Sequence, residues 1–155
     1  MTTQTRYRAV SILALAGLFI SVYLLLYSLG FYGMILCGAG SCEVVQSSKW
    51  AVFLGLPVPG WGAAWYGAVL ALALMLAGGA SASKKPGALL AILATGGLAF
   101  SVYLTALEAF VIHAWCRWCI VSAVLTVLIF LLVAPWRRLG SGRGAPESLE
   151  GVAVE

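Results

Sequence analysis

Two cysteines three residues apart, in Trp115-Cys116-Arg117-Trp118-Cys119, stand at the start of the last long apolar segment. That spacing is about one helical turn, so both sulfurs can share a face and close a small ring. A helix beginning there directs backbone N–H groups and its positive dipole end at the first sulfur, which favours the thiolate. The thiolate is the form that attacks disulfides. The other two cysteines, Cys37 and Cys42, form a second close pair after another apolar segment. The rest of the chain reads as scaffolding that brings both pairs to one membrane face.

Spacing leaves three chemistries open. The cysteines can be two structural disulfides, a four-thiolate zinc site or a redox relay. A zinc site of this type usually pairs two short C-x2–4-C knuckles in a soluble fold. Staples are common outside the cytosol, but a four-residue loop closes little chain entropy and a C-x-x-C ring closes less. The spacing favours the relay, and no metal is assigned.

At 155 residues the chain makes one domain at most. It is 63% hydrophobic and 9% charged, with a mean hydropathy of +1.03. Soluble domains carry about a quarter charged residues, so this chain is dissolved in lipid. The net charge of +4 is not a nucleic-acid signal, because seven of nine Lys and Arg sit in three patches flanking apolar runs. Arg6 and Arg8 before an apolar run suggest a signal peptide, but the run has the length of a span and lacks a small-x-small cleavage site followed by a soluble domain. It reads as retained.

Residues 1–8 form a basic lead-in, and Ala9 to Leu29 a first span of about the 20 residues a bilayer core requires. Tyr23, Tyr27 and Tyr32 crowd its far end like an aromatic belt. Gly30 to Gly62 is irregular, with Cys37, Cys42 and the turn-forming Pro57, Pro59 and Gly60. Within it, Glu43 to Leu54 is too polar to span and predicts a short helix at the interface or capping the bundle. Further spans run over Trp61–Leu76 (short unless it starts near Pro59), Ala88–Ile112 and Cys119–Val133. Residues 135–155 are a charged tail expected to be disordered. The fold expected is an all-α membrane protein: a four-transmembrane-helix bundle over residues 9–134, with a helix and loop cap on its outer face. Gly62, Gly67, Gly96 and Gly97 suit close helix approach.

Charge orients the bundle. Arg6 and Arg8, Lys84 and Lys85, and Arg137, Arg138 and Arg143 lie on one side, against Lys49 and Arg117 on the other. The positive-inside rule then makes both termini cytoplasmic and both cysteine pairs extracytoplasmic, in a multi-pass protein of the inner (plasma) membrane. Disulfides persist in that compartment. Ser21-Val22-Tyr23-Leu24 also recurs as Ser101-Val102-Tyr103-Leu104 ahead of each cysteine pair, as a duplication or a coincidence of apolar tetrads would produce.

The chain resembles bacterial members of the vitamin K epoxide reductase family over most of residues 9–134. The resemblance rests on Cys37 and Cys42, the run Glu43 to Trp50, Gly55-Leu56-Pro57-Val58-Pro59, Tyr103-Leu104 through Glu108, and Cys116-Arg117-Trp118-Cys119. The spaced pair comes first and C-x-x-C last, the reverse of DsbB-type oxidases. The resemblance implies that Cys116 and Cys119 are the active couple beside a quinone (menaquinone, ubiquinone or a vitamin K type). Cys37 and Cys42 are then the shuttle couple that takes electrons from a partner thiol. Ser48 matches the loop serine near the redox centre, and Trp50, with Cys119, is placed at the quinone. The implied partner is a separate DsbA-like thioredoxin-fold protein, since the tail is too short for the thioredoxin-like domain fused to some relatives. Two features depart from the animal reductases. Four residues separate Cys37 from Cys42, fewer than in those enzymes, and Ala123 stands where they place a tyrosine beside the vitamin. The expected activity is therefore thiol oxidation with quinone reduction. The competing class is a non-enzymatic membrane protein with two structural disulfides.

Cys119, deeper on the helix, is expected to face the quinone, and Cys116 to exchange with Cys42 or Cys37. His113, three residues before Cys116, can relay a proton, although an interfacial histidine in water is the plainer reading. Glu108 raises a functional suspicion as an acid within a span, or is solvated or paired with Arg117. Trp61, Trp65, Trp115 and Trp118 fit a quinone pocket or interfacial anchors equally.

Overall fold

A computed structural model describes residues 3–31, 33, 41–79 and 85–133. Cys37, Tyr32, Lys84 and the tail 135–155 lie outside the described residues. The chain forms helix α1 (Thr3–Ser28), a short α2 (Cys42–Gln46) and a 3-10 turn (Lys49–Ala51). Two-residue strands β1 (Val52–Phe53) and β2 (Leu56–Pro57) follow, then α3 (Val58–Ala77), α4 (Lys85–Leu107) with a π turn (Glu108–Ile112), and α5 (Arg117–Val133).

Residues 3–28, 58–77 and 86–112 are long and apolar enough to cross a membrane. The apolar α5 is shorter, at 17 residues. At about 1.5 Å per residue it falls a few ångström short of a bilayer core of about 30 Å. Apolar side chains point outward as well as inward: Ile12 is 69% and Phe110 78% exposed. Helices hydrophobic on all faces suit a lipid solvent and would aggregate in water.

The helices start earlier than their apolar runs. Nothing between Thr3 and Arg8 breaks a helix, so the polar lead-in joins α1. There Arg6 donates from Nε (3.1 Å) and Nη2 to the Leu132 carbonyl, satisfying one of the carbonyls that the last turn of α5 leaves unpaired. Pro59 sits in the first turn of α3, where its missing N–H costs nothing, and this start extends α3 to 20 residues.

The segment Glu43–Leu54 is not one short helix. It divides into α2, the 3-10 turn and strand β1, and β1 pairs antiparallel with β2 in the register Val52↔Pro57 and Phe53↔Leu56. Leu54 and Gly55 both adopt positive φ (53° and 80°), the two-residue turn whose twist matches paired strands. A purely α fold is thus corrected by one small hairpin. Trp61 secures it, donating from Nε1 to the Phe53 carbonyl at 3.0 Å.

α1 packs on α3 and α5, and α4 packs on the same two, so the helices close a ring in the order α1–α3–α4–α5. Close approach is local: a Cβ on Gly17 would run into the Tyr66 ring, and one on Gly97 into the Trp65 indole. Gly67 and Gly96, also expected at contacts, have nothing within 4 Å. The core has two parts. Val10, Ala14, Tyr66, Val69, Leu90 and Ile129 fill the half towards Arg6. Leu24, Cys42, Val45, Ala114 and Cys116 form the other cluster, at the far end.

Candidate functional site

Cys116 immediately precedes α5 and caps it. The Cys119 N–H donates to Cys116 Sγ at 3.3 Å, and the Ile120 N–H to the Cys116 carbonyl at 3.0 Å. A sulfur here does what a serine oxygen does at an N-cap, accepting an N–H that the first turn leaves without a partner. This is the arrangement expected from the sequence. Cys116 and Cys119 form a disulfide, their Cα atoms 5.1 Å apart.

The two cysteines face different surroundings. Cys116 is fully buried and packs in the cluster that holds Cys42, also fully buried. The Ser41 N–H donates to the Trp115 carbonyl at 3.1 Å, tying the start of α2 to the irregular segment leading into α5. Cys42 is itself disulfide-bonded. Cys119 is only partly buried and opens onto a cavity of about 350 Å³ between the helices.

Trp50, Phe53, Trp61, Trp65 and Phe100 give this cavity aromatic walls, and Ser48 lines it too. Ser48 Oγ donates to the Val45 carbonyl at 2.8 Å, fixing the turn that carries Trp50 over the cavity. Towards the Arg6 end the cavity meets the Tyr66 hydroxyl. That group donates to the Ser122 carbonyl (2.8 Å) and bonds the hydroxyls of Ser122 (3.0 Å) and Thr126 (3.1 Å). Gln46 also lines the cavity, and its Oε1 is buried without a hydrogen-bond partner.

Glu108 is neither solvated nor turned to bulk water. It is 5% exposed, and its Oε2 accepts the Cys116 N–H at 3.2 Å. Gly97, Ser101, Leu104 and Glu108 follow helical spacing along the face of α4 that lines the cavity, so this side chain continues that inward face, and the π turn begins only there. His113 ends the turn in the left-handed region (φ 52°) and is exposed, in line with the plainer reading. The carboxylate of Glu108 and the two sulfurs all lie within 4.8 Å of one another.

The tryptophans divide. Trp61 and Trp65 line the cavity, whereas Trp115 is exposed and Trp118 stacks edge-on against Tyr23 with centroids 5.8 Å apart. Both sequence echoes meet the same space, since Ser21, Leu24, Ser101 and Leu104 all line it. Sequence reasoning missed Gln46, Tyr66, Ser122 and Thr126. A signal existed for two of them: Cys119, Ser122 and Thr126 follow helical spacing along one face of an otherwise apolar helix.

Among models of known protein families, that of the vitamin K epoxide reductase family matches residues 8–134. The match takes in both cysteine pairs, the β-hairpin, α1 from Arg8 onward, and α3, α4 and α5. The chain belongs to the vitamin K epoxide reductase family, a family of membrane oxidoreductases.

Proposed function

We propose that the protein is a membrane thiol oxidase that takes electrons from a separate thioredoxin-fold partner and passes them to a quinone. One observation carries the reading: the disulfide is two-sided, with Cys116 buried in the cluster that holds Cys42 and Cys119 opening onto the aromatic cavity. A staple needs no such division.

The cavity fits a quinone head group. Its walls are apolar and aromatic, and the unpaired Oε1 of Gln46 calls for a hydrogen-bond donor such as the hydroxyl of the reduced ring. A bound quinone supplies a two-electron, two-proton sink. Trp50, Trp61 and Trp65 would hold its ring, and Gln46 would orient an oxygen. Replacing Gln46 with Leu fills the space without the amide. We expect the KM for quinone to rise roughly tenfold, about the worth of one hydrogen bond to a neutral partner. Oxidation of the partner in a single turnover should stay near the wild-type rate.

The protein residues act in sequence. The partner reduces the Cys37–Cys42 couple, and the Cys42 thiolate attacks Cys116 Sγ, so that Cys119 departs as thiolate. The N-capping geometry at Cys116 stabilises negative charge on that sulfur as the second exchange releases it. Ser48 holds the turn that roofs the cavity.

All four apolar helices cross the membrane in this reading, with the hairpin and α2 at the outer face. The α1 start, the Leu132 end of α5 and the beginning of α4 share one end of the bundle: Arg6 bonds Leu132, and a Cβ on Gly87 would lie 3.9 Å from the Tyr7 hydroxyl. With Arg6, Arg8 and Lys85 at that end, the positive-inside rule puts it in the cytoplasm and the cysteines outside.

Purified protein in detergent, given a dithiol and a quinone, should bleach the quinone absorbance in proportion to dithiol oxidised. Right-side-out vesicles should do the same with a membrane-impermeant dithiol. No quinone-dependent oxidation in detergent would leave the cysteines as staples; activity lost only in the vesicles would reverse the orientation.

A further inference from the structure

Oxidising the Cys116–Cys119 dithiol closes one S–S bond, sends two electrons to the acceptor and releases two thiol protons. The sulfurs are held where water has little access: Cys116 is fully buried and Cys119 faces an apolar cavity. A proton leaving either sulfur needs a base within reach. Glu108 is the acid group at this place. It is buried, it accepts the Cys116 N–H, it lines the same cavity as Cys119, and its carboxylate lies within 4.8 Å of both sulfurs. The exposed His113 and Arg117 point to the surface instead.

We infer that Glu108 is the proton carrier of the Cys116–Cys119 couple. This rests on the redox reading of that couple. As the S–S bond closes, the carboxylate takes a thiol proton and releases it into the cavity to the reduced quinone, once for each of the two thiols. Electrons and protons then balance: two thiols and one quinone give one disulfide and one hydroquinone. In the opposite half-cycle Cys42 attacks Cys116, and the proton that the Cys42 thiol gives up is taken by the carboxylate and passed to the departing Cys119 thiolate. The hydrogen bond from the Cys116 N–H keeps the carboxylate beside the sulfurs throughout.

A purely structural Glu108 would need only an acceptor oxygen, which Gln also provides. Glu108→Gln therefore separates the two roles. In quinone-free protein, the infrared difference between dithiol-reduced and oxidised forms should contain a carboxyl band that Glu108→Gln removes and Glu108→Asp shifts. With quinone, Glu108→Gln should slow single-turnover quinone reduction by about 10²-fold, the scale of a lost general acid–base, with part of the rate restored in Glu108→Asp. Absence of a Glu108-dependent band, or a Glu108→Gln rate within twofold of wild type, overturns the inference. A wild-type protein that reduces no quinone sinks the proposed function alone, and the infrared band still decides the role of Glu108. If Glu108→Gln does not fold, the band shift in Glu108→Asp decides it.

Discussion

Cys119→Ala and Cys116→Ala are each expected to reduce quinone turnover to the assay background. Either change leaves one sulfur where closing a disulfide takes two, so no pair of electrons can be released. The upstream pair should behave differently. Cys42→Ala removes the sulfur that shares the buried cluster of Cys116 and should abolish oxidation of a protein partner. A small dithiol that reaches the Cys116–Cys119 disulfide directly should still be oxidised. Cys37→Ala should give the same split, because a lone Cys42 can accept a mixed disulfide but cannot resolve it. Steady-state quinone absorbance with each thiol donor measures all four variants. Full partner oxidation by all of them would end the relay.

A Cys42–Cys116 linkage should accumulate in Cys119→Ala protein and become the main disulfide species in peptide maps under non-reducing conditions. Exchange between the pairs passes through a mixed disulfide, and Cys119 is the thiol that would resolve it. The identity of the upstream sulfur follows from packing: Cys42 and Cys116 are both fully buried in one cluster, and the Ser41–Trp115 backbone bond holds their segments together. A Cys37–Cys116 linkage instead would exchange the roles of the shuttle cysteines. No linkage between pairs under any trapping condition would restore the staple reading.

Much of this site was legible because its chemistry is carried by spacing along one chain segment. The C-x-x-C at a helix start implied an N-capped sulfur, and α5 carries one. The apolar runs located the helices, although propagation through polar Thr3–Arg8 moved the first boundary beyond its hydrophobic signal. What stayed hidden depended on contacts between distant segments or on local irregularity. Glu108 drew suspicion as an acid within a span, but no pattern along the chain announces that it accepts the Cys116 N–H, a contact made across the turn that ends α4. Tyr66 looked like one more apolar residue of α3 until its hydroxyl met Ser122 and Thr126, more than fifty positions away. The β-hairpin escaped because two-residue strands are too short for alternation to be visible, leaving Leu54-Gly55 as the one clue.

The hydroxyl knot of Tyr66, Ser122 and Thr126 also has an electrical meaning. Beyond it, Val10, Val69, Leu90 and Ile129 form packed apolar core all the way towards the end where Arg6 binds Leu132. A charge carried through that half of a membrane would feel the transmembrane voltage, at about 2.3 kcal/mol per elementary charge for a full crossing at 100 mV. Cys42, Cys116, Cys119, Glu108 and the cavity all lie on the other side of the knot. On the proposed reading, electrons and protons would therefore enter and leave without crossing the insulating half, and turnover would neither draw on the membrane potential nor charge it.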